Sequence, residues 1–413
     1  MSNIPTESRE SVKIAFASKY TDGNQLGFDT LPSPIVLPDS KRELIMTAGR
    51  RAANVLLKTN TLFSEILRGR HKELAWMEDL FFASILPEHR NLARELAVAT
   101  AGLVPKNFRL DLFSDGTIAE IQCPGSGWGF IAGLEDYYNV KSSTAVNSFS
   151  QWLGGQTGVW WLYNEGMESS VTHLANKLAL SGVNLLVQKT PEFDPNSTQW
   201  RVVVKRPPLP QLLESEKGRT LLYRWLDGQI DMDPIPSMIP ETKFAMVLLH
   251  HPQTKDFFTS DDRSLCHPTT LVTGLDHPIG SYRIGDASGL SRSRRQFVLK
   301  YGGARAYDRF GGHCVYALNK MKRRPDIARV VARAVNEWNK DREGWVLQPF
   351  VSYKSTLKEL GFGSGSDKMY VLWRPGFQVQ DNGEVAHVGT IVNLRKSWKV
   401  HGASDTCFGL CVL

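Results

Sequence analysis

One segment restricts this chain more than any other. Residues 109–122 read Arg-Leu-Asp-Leu-Phe-Ser-Asp-Gly-Thr-Ile-Ala-Glu-Ile-Gln. An Asp-Gly pair between two alternating runs is a strong short-range signal for a β-hairpin. With Asp115-Gly116 as a two-residue turn, Ser114 pairs with Thr117, Asp111 lies opposite Glu120, and Arg109 lies opposite Gln122. Strand side chains alternate between faces, so Arg109, Asp111, Glu120 and Gln122 are expected on one face. Two carboxylates opposed across a ladder repel, which calls for a compensating cation. Carboxylate and amide oxygens suit Mg2+, commonly bound together with phosphate oxygens. The segment predicts a hairpin that carries a metal–nucleotide site, with Asp111, Glu120 and Gln122 as metal ligands. Its continuation, Pro124-Gly125-Ser126-Gly127-Trp128-Gly129, lets the backbone approach a ligand closely.

Composition is that of an ordinary soluble globular chain. Of 413 residues, 42% are hydrophobic and 22% charged, enough for two or three packed units. The formal charge of +7 is mild for this length, and its basic residues are spread out. It permits an anionic ligand and does not argue for nucleic acid. Five cysteines, widely placed and odd in number, fit reduced thiols in the cytoplasm better than a disulfide framework. The polar first twelve residues lack the apolar core of a signal peptide, and no apolar run has the length of a membrane span.

The pattern along the chain divides it into five stretches. Residues 1–40, rich in Ser, Pro, Asp and Gly, read as an irregular arm. Residues 41–105 are helical, with Leu44, Ile45, Ala48, Ala52, Val55 and Leu56 recurring at three and four. Residues 106–150 hold the hairpin, the glycine-rich segment and a following helix. Residues 151–240 carry a β-α-β-β pattern: strands at 158–163, 183–187 and 199–205 with a helix at 169–180, a small α/β unit. Residues 241–413 hold a basic stretch and the strand Phe297-Val-Leu-Lys300, which runs into glycines. A helix at 325–340 and strands at 345–351, 369–374 and 387–395 follow. The fold class is α/β of the α+β kind.

Three further constellations carry chemistry. Lys300 ends a strand and precedes Tyr-Gly-Gly-Ala-Arg-Ala-Tyr-Asp-Arg-Phe-Gly-Gly. A lysine there reaches phosphate oxygens, and the backbone N–H groups of Gly302, Gly303, Gly311 and Gly312 can fold over them, with charge from Arg305. This is not a P-loop, because the lysine comes before the glycines. Gln348, polar within Trp345-Val-Leu-Gln-Pro-Phe, is a candidate for lining an adenine pocket. Arg395, in Arg395-Lys-Ser-Trp-Lys399, ends a strand where it can meet a phosphate or a substrate carboxylate. The pairs His250-His251 and Cys266-His267, and Cys407 with Cys411 and His401, have neither zinc spacing nor a full ligand set. They are taken as structural.

In this order, these motifs resemble the ATP-grasp superfamily, and within it the circularly permuted branch that includes glutathionylspermidine synthetase. Arg109-Leu-Asp111 with Glu120-Ile-Gln122 is similar to an Arg-x-Asp and Glu-x-Asn hairpin that precedes a lysine-bearing glycine loop. Leu222-Tyr-Arg-Trp-Leu resembles a Tyr-Arg strand end between those motifs. Val346-Leu-Gln348 resembles the strand leading to the adenine hinge, and residues 392–402 the closing strand. Gln122 departs from the pattern, standing where asparagine is usual.

The resemblance implies an ATP-grasp-like fold with permuted motif order, and ATP and Mg2+ as cofactors. It also implies a small-molecule carboxylate and an amine, such as amino acids or a peptide, as substrates. Neither nucleic acid nor a membrane is implied as a partner. Asp111, Glu120 and Gln122 would hold the metal, and Lys300 with the glycine loop the β- and γ-phosphates. Arg109 and Arg395 would act in catalysis, and Gly125, Ser126 and Gly127 would line the acyl-phosphate pocket. A small-molecule phosphotransferase and a non-catalytic nucleotide-binding protein are the alternatives.

Overall fold

The structure, a computed structural model, describes residues 29–31, 33–123, 127–162, 168–204, 206–305, 314–356, 359–360, 368–399 and 406–412. Among the described residues, three sheets of four or more strands, one two-stranded hairpin and the helices that cover them make a mixed α/β architecture of the α+β kind.

The largest sheet has eight strands. Its path runs β1 (Asp29–Thr30), β18 (Cys407–Val412), β17 (Val385–Arg395), β16 (Lys368–Val379), β3 (Asn107–Leu112) and β4 (Ile118–Gln122). Two more strands attach to it, β2 (Ile35–Val36) to β18 and β15 (Lys354–Thr356) to β16. Strands 369–374 and 387–395 of the sequence pattern extend in the structure into one long antiparallel hairpin, β16–β17. Its turn closes through the amide of Gln380 on the carbonyl of Glu384, with Gly383 at φ +83. One face of the sheet packs on α1 (Asp39–Leu67), where the three-four periodicity of the sequence buries Ile45, Ala48, Ala52, Val55 and Leu56. Gly49 is required on that helix: a Cβ there would sit 2.4 Å from the Phe377 ring. Shorter helices α2 (Trp76–Phe81) and α3 (Arg90–Ala99) complete this layer.

The second sheet is wholly parallel, in the order β6 (Leu185–Lys189), β5 (Gly158–Leu162), β7 (Val202–Val204), β8 (Asp231–Asp233). Gly158-Val-Trp-Trp-Leu is a continuous buried run because both faces are covered. Trp160 and Leu162 pack with α4 (Trp128–Tyr137), α5 (Thr144–Leu153) and α6 (Glu168–Leu180). Val159 and Trp161 pack on the other side, in one core with α7 (Leu209–Glu214) and α8 (Glu216–Leu226). The segment Leu222-Tyr-Arg-Trp-Leu is therefore helical, not a strand end. Leu221, Leu222 and Trp225 recur at helical spacing, and Ser215 caps the helix by accepting from the amide of Gly218.

The third sheet is antiparallel, in the order β13 (Val315–Ala317), β12 (Phe297–Tyr301), β14 (Trp345–Pro349), β9 (Thr270–Val272). A short hairpin, β10 (Pro278–Ile279) with β11 (Tyr282–Arg283), follows β9. Two short helices, α9 (Phe244–Leu248) and α10 (Ser260–Arg263), precede it. Leu299, Tyr301, Trp345 and Leu347 pack in one core with α11 (Arg324–Asp341). Alternation therefore turns Lys300, Val346 and Gln348 to the opposite face, toward the hairpin β3–β4. The edge strand β4 meets the segment between α10 and β9 where the amide of Ile118 donates to the carbonyl of Leu265 at 2.9 Å. Ile118 also forms an isolated bridge with Cys266.

Candidate active site

The hairpin carries the pairs that its sequence implies: Arg109 opposite Gln122 and Asp111 opposite Glu120. Its turn is not the two-residue turn of the simplest reading. The amide of Phe113 donates to the carbonyl of Thr117, so three residues form the loop, with Gly116 at φ +91. Below it Leu112 pairs with Ile118, and a bulge restores the register at Asp111 and Glu120. Ala119 is the extra residue. Its carbonyl accepts from Lys300 Nζ at 3.1 Å, which joins the hairpin to the lysine-bearing strand.

Around that contact the charges interlock. Asp111 Oδ1 lies 3.5 Å from Arg109 Nη2 and 3.3 Å from Arg374 Nε, and Arg374 comes from the adjacent strand β16. Glu120 Oε2 lies 3.5 Å from Lys243 Nζ. Gln122 accepts from Arg109 through Oε1 and donates through Nε2 to Glu120, and to Asp111 at 3.4 Å. Lys300 also donates to Gln348 Oε1 at 2.6 Å. The facing carboxylates are thus compensated by side-chain cations, Arg109, Arg374 and Lys243.

Arg109, Asp111 and Lys300 are buried. Four cationic side chains, Arg109, Lys243, Lys300 and Arg374, surround two carboxylates, an excess of two positive charges. The ionisation of the group records this. Burial and the neighbouring Arg374 lower Arg109 to about 10. Burial, with Lys243 adding to it and Glu120 opposing, lowers Lys300 to about 8. Burial favours protonation of Glu120, but Lys243, Lys300 and its other partners outweigh it and hold the carboxyl at about 2. A buried site with surplus positive charge is chemically suited to an anion.

The donor set fits a hard cation in part. Asp111 and Glu120 offer anionic oxygens from facing strand positions, a pair that suits Mg2+ together with phosphate oxygens. Gln122 turns its nitrogen, not its oxygen, toward both carboxylates. Among the described residues no group of three or more His, Cys, Asp or Glu side chains is placed to hold a metal ion.

The other expected residues fall at different distances from this centre. Gly127 caps α4 beside it: a Cβ there would lie 3.3 Å from Arg109 Nη1 and 3.4 Å from Ile391 Cδ1. The amide of Gly302 donates to the carbonyl of Gly344, and its carbonyl accepts from the amide of Lys243. It thereby ties two sequence-distant segments together instead of presenting its N–H to a ligand. Gly303 is packed against the Tyr301 hydroxyl and Glu343. Arg305 pairs with Glu337 at 3.0 Å. Arg395 donates to the carbonyl of Lys399. It lies on the same sheet face as Arg374, four residues beyond Ile391, the cross-strand partner of Arg374, about 13 Å along the strand at its usual rise. Gly125, Ser126, Gly311 and Gly312 lie outside the described residues.

Sequence reasoning missed Arg374 and Lys243. Arg374 had one visible signal, as the only charge in Met369-Tyr-Val-Leu-Trp-Arg. Lys243 had none, since it stands in a loop after Pro240. His250 Nε2 lies 3.7 Å from Cys266 Sγ. Burial pushes that thiol up to about 12, consistent with a structural cysteine.

No family model matches the chain, and no curated protein sequence matches it. Among the described residues no helix is long and apolar enough to cross a membrane.

Proposed function

We propose that this protein is an ATP-dependent carboxylate–amine ligase of the ATP-grasp type with permuted motif order. One observation carries the reading. Two motif groups far apart in sequence, the Arg109–Gln122 hairpin and the Lys300 strand end, meet through the 3.1 Å contact of Lys300 with Ala119, in a site with surplus positive charge.

In this reading Lys300 and Lys243 bind phosphate oxygens of ATP, and Arg109 and Arg374 flank the transferring phosphoryl group. Asp111 and Glu120 would hold Mg2+, which supplies charge neutralisation when bound. A substrate carboxylate attacks the γ-phosphorus, and ADP leaves with the bridging oxygen. An amine then attacks the acyl carbon, phosphate departs, and the amine gives up a proton, leaving an amide. The side chains contribute mainly positioning and electrostatic stabilisation. The expectation that the protein acts in the cytoplasm belongs to the same proposal.

The test is incubation of the chain with Mg-ATP and panels of amino acids and amines, following ADP and adduct mass. ADP that requires both acid and amine, with an adduct lighter than their sum by one water, supports the ligase. ADP with one partner alone and a phosphorylated product points to a phosphotransferase. Absence of Mg-ATP binding overturns the nucleotide site.

A further inference from the structure

Lys300 on β12, Gln348 on β14 and Thr269, the residue just before β9, form a line of hydrogen bonds on one face of the third sheet. Lys300 Nζ donates to Gln348 Oε1 at 2.6 Å, and Gln348 Nε2 donates to Thr269 Oγ1 at 2.9 Å. The Thr269 hydroxyl in turn donates to the carbonyl of His267 at 2.9 Å. Register places the three on one face. Gln348 is opposite Val298, two residues before Lys300, and continuing the β14–β9 ladder sets Gln348 against Thr269.

The line has a fixed polarity. Because the hydroxyl of Thr269 is spent on His267, its oxygen accepts from Gln348. That leaves the amide oxygen of Gln348 facing Lys300. Both acceptors that Lys300 meets, Gln348 Oε1 and the Ala119 carbonyl, are uncharged. The ammonium is fixed in place without a contact ion pair, and its charge remains for an anionic ligand.

We infer that Gln348 and Thr269 are positioning residues for Lys300, so that Gln348 acts on phosphate binding through the lysine and does not select the nucleotide base. The inference rests on the proposed nucleotide site and goes beyond it. A polar side chain on this strand would otherwise be assigned to adenine. Here its two amide atoms are engaged within the protein, with Lys300 and Thr269, and Met246 Sδ lies 3.7 Å from its nitrogen.

The test measures binding of Mg-ATP, Mg-GTP and inorganic tripolyphosphate to the full chain and to Gln348→Met, Thr269→Val, Thr269→Ser and Lys300→Met. Gln348→Met is expected to weaken all three ligands by a similar factor, roughly tenfold, as for loss of a hydrogen bond to a charged group. Thr269→Val should weaken them less, and Thr269→Ser, which keeps the hydroxyl, should restore binding. In Gln348→Met the loss of binding at high pH should begin at lower pH, because a carbonyl acceptor favours the ammonium.

A Gln348→Met loss confined to ATP, with tripolyphosphate unaffected, overturns the inference. So does unchanged binding in both Gln348→Met and Thr269→Val while Lys300→Met binds weakly. If the wild-type chain binds none of the three ligands, the nucleotide site itself falls. Thr269→Val keeps the test decisive should Gln348→Met fail to fold.

Discussion

Lys300 reaches the hairpin through the carbonyl of Ala119, the residue that the bulge leaves without a cross-strand partner. The bulge thus has two effects. It returns Asp111 and Glu120 to one register after a three-residue turn, and it frees an acceptor for the lysine. A regular ladder would keep the carboxylates paired but present no spare carbonyl at that point.

Lys300→Met should remove this link and one unit of the surplus positive charge. Mg-ATP affinity is expected to fall at least about tenfold, the loss of one charge-assisted hydrogen bond. Calorimetric titration checks it. Affinity equal to wild type would take Lys300 out of the site.

Nucleotide binding should also weaken with rising pH. Burial and Lys243 lower Lys300 to about 8, below the usual lysine value. The protonated form binds phosphate, so affinity should decline as pH passes through about 8. Stability of the ligand-free protein should move the other way. Between about 8 and 10.5 the unfolded chain holds a proton that the folded state has lost, so this group's contribution rises with pH there. Dissociation constants measured between pH 6.5 and 9.5 decide the first part. A flat profile contradicts it.

The two carboxylates should differ in structural cost. Asp111 is buried between Arg109 and Arg374, and its removal leaves two guanidinium groups facing each other. Asp111→Ala is expected to cost about 3 kcal/mol, as when a buried ion pair loses one partner. Glu120 is less enclosed, with its side chain 21% exposed, so Glu120→Gln should cost under about 2 kcal/mol while still reducing ATP turnover. Urea denaturation separates the two. Equal stability losses would refute the charge arrangement given above.

The hairpin was legible because a period of two and an Asp-Gly turn fix which residues share a face. Its bulge was not, since Ala119 bears no chemical mark and the turn tolerates either loop length. Arg374 became part of the site only through the pairing of β16 with β3, a long-range choice made by burial of Trp373 and Phe377 on α1's side. The run 222–226 misled as a strand because its four apolar and aromatic residues, interrupted by Arg224, lack a period of their own. The helix is set by Ser215 and by packing of Leu221 and Leu222. Gln348 was visible as an oddity in an apolar strand. Its partner was not, because Thr269 is brought opposite by the β9–β14 pairing.

Asp233 offers a test of how the hairpin is held. It ends β8 of the parallel sheet and is fully buried. Its Oδ1 accepts from the amides of Lys106 and Asn107 at 2.8 and 3.2 Å, and its Oδ2 from Asn107 Nδ2 at 2.8 Å. These bonds fix the first residues of β3 against the parallel sheet. Burial pushes the carboxyl up to about 6, although the donors from Asn107 and Lys106 oppose it. Between about pH 4 and 6 the folded chain therefore keeps a proton that the unfolded chain has released. The stability contributed by this group falls as pH rises through that window and is constant above it. Asp233→Asn keeps an oxygen for the two amides and removes the titration. It sets one amide nitrogen against Asn107 Nδ2, a cost that does not vary with pH. Relative to wild type, the variant should gain about 3 kcal/mol between pH 3.5 and pH 7, the size of a shift of roughly two pKa units. Unfolding free energies from urea titrations across that range measure it. A constant difference between the two proteins would mean that Asp233 ionises as an ordinary carboxyl and that burial does not govern this contact.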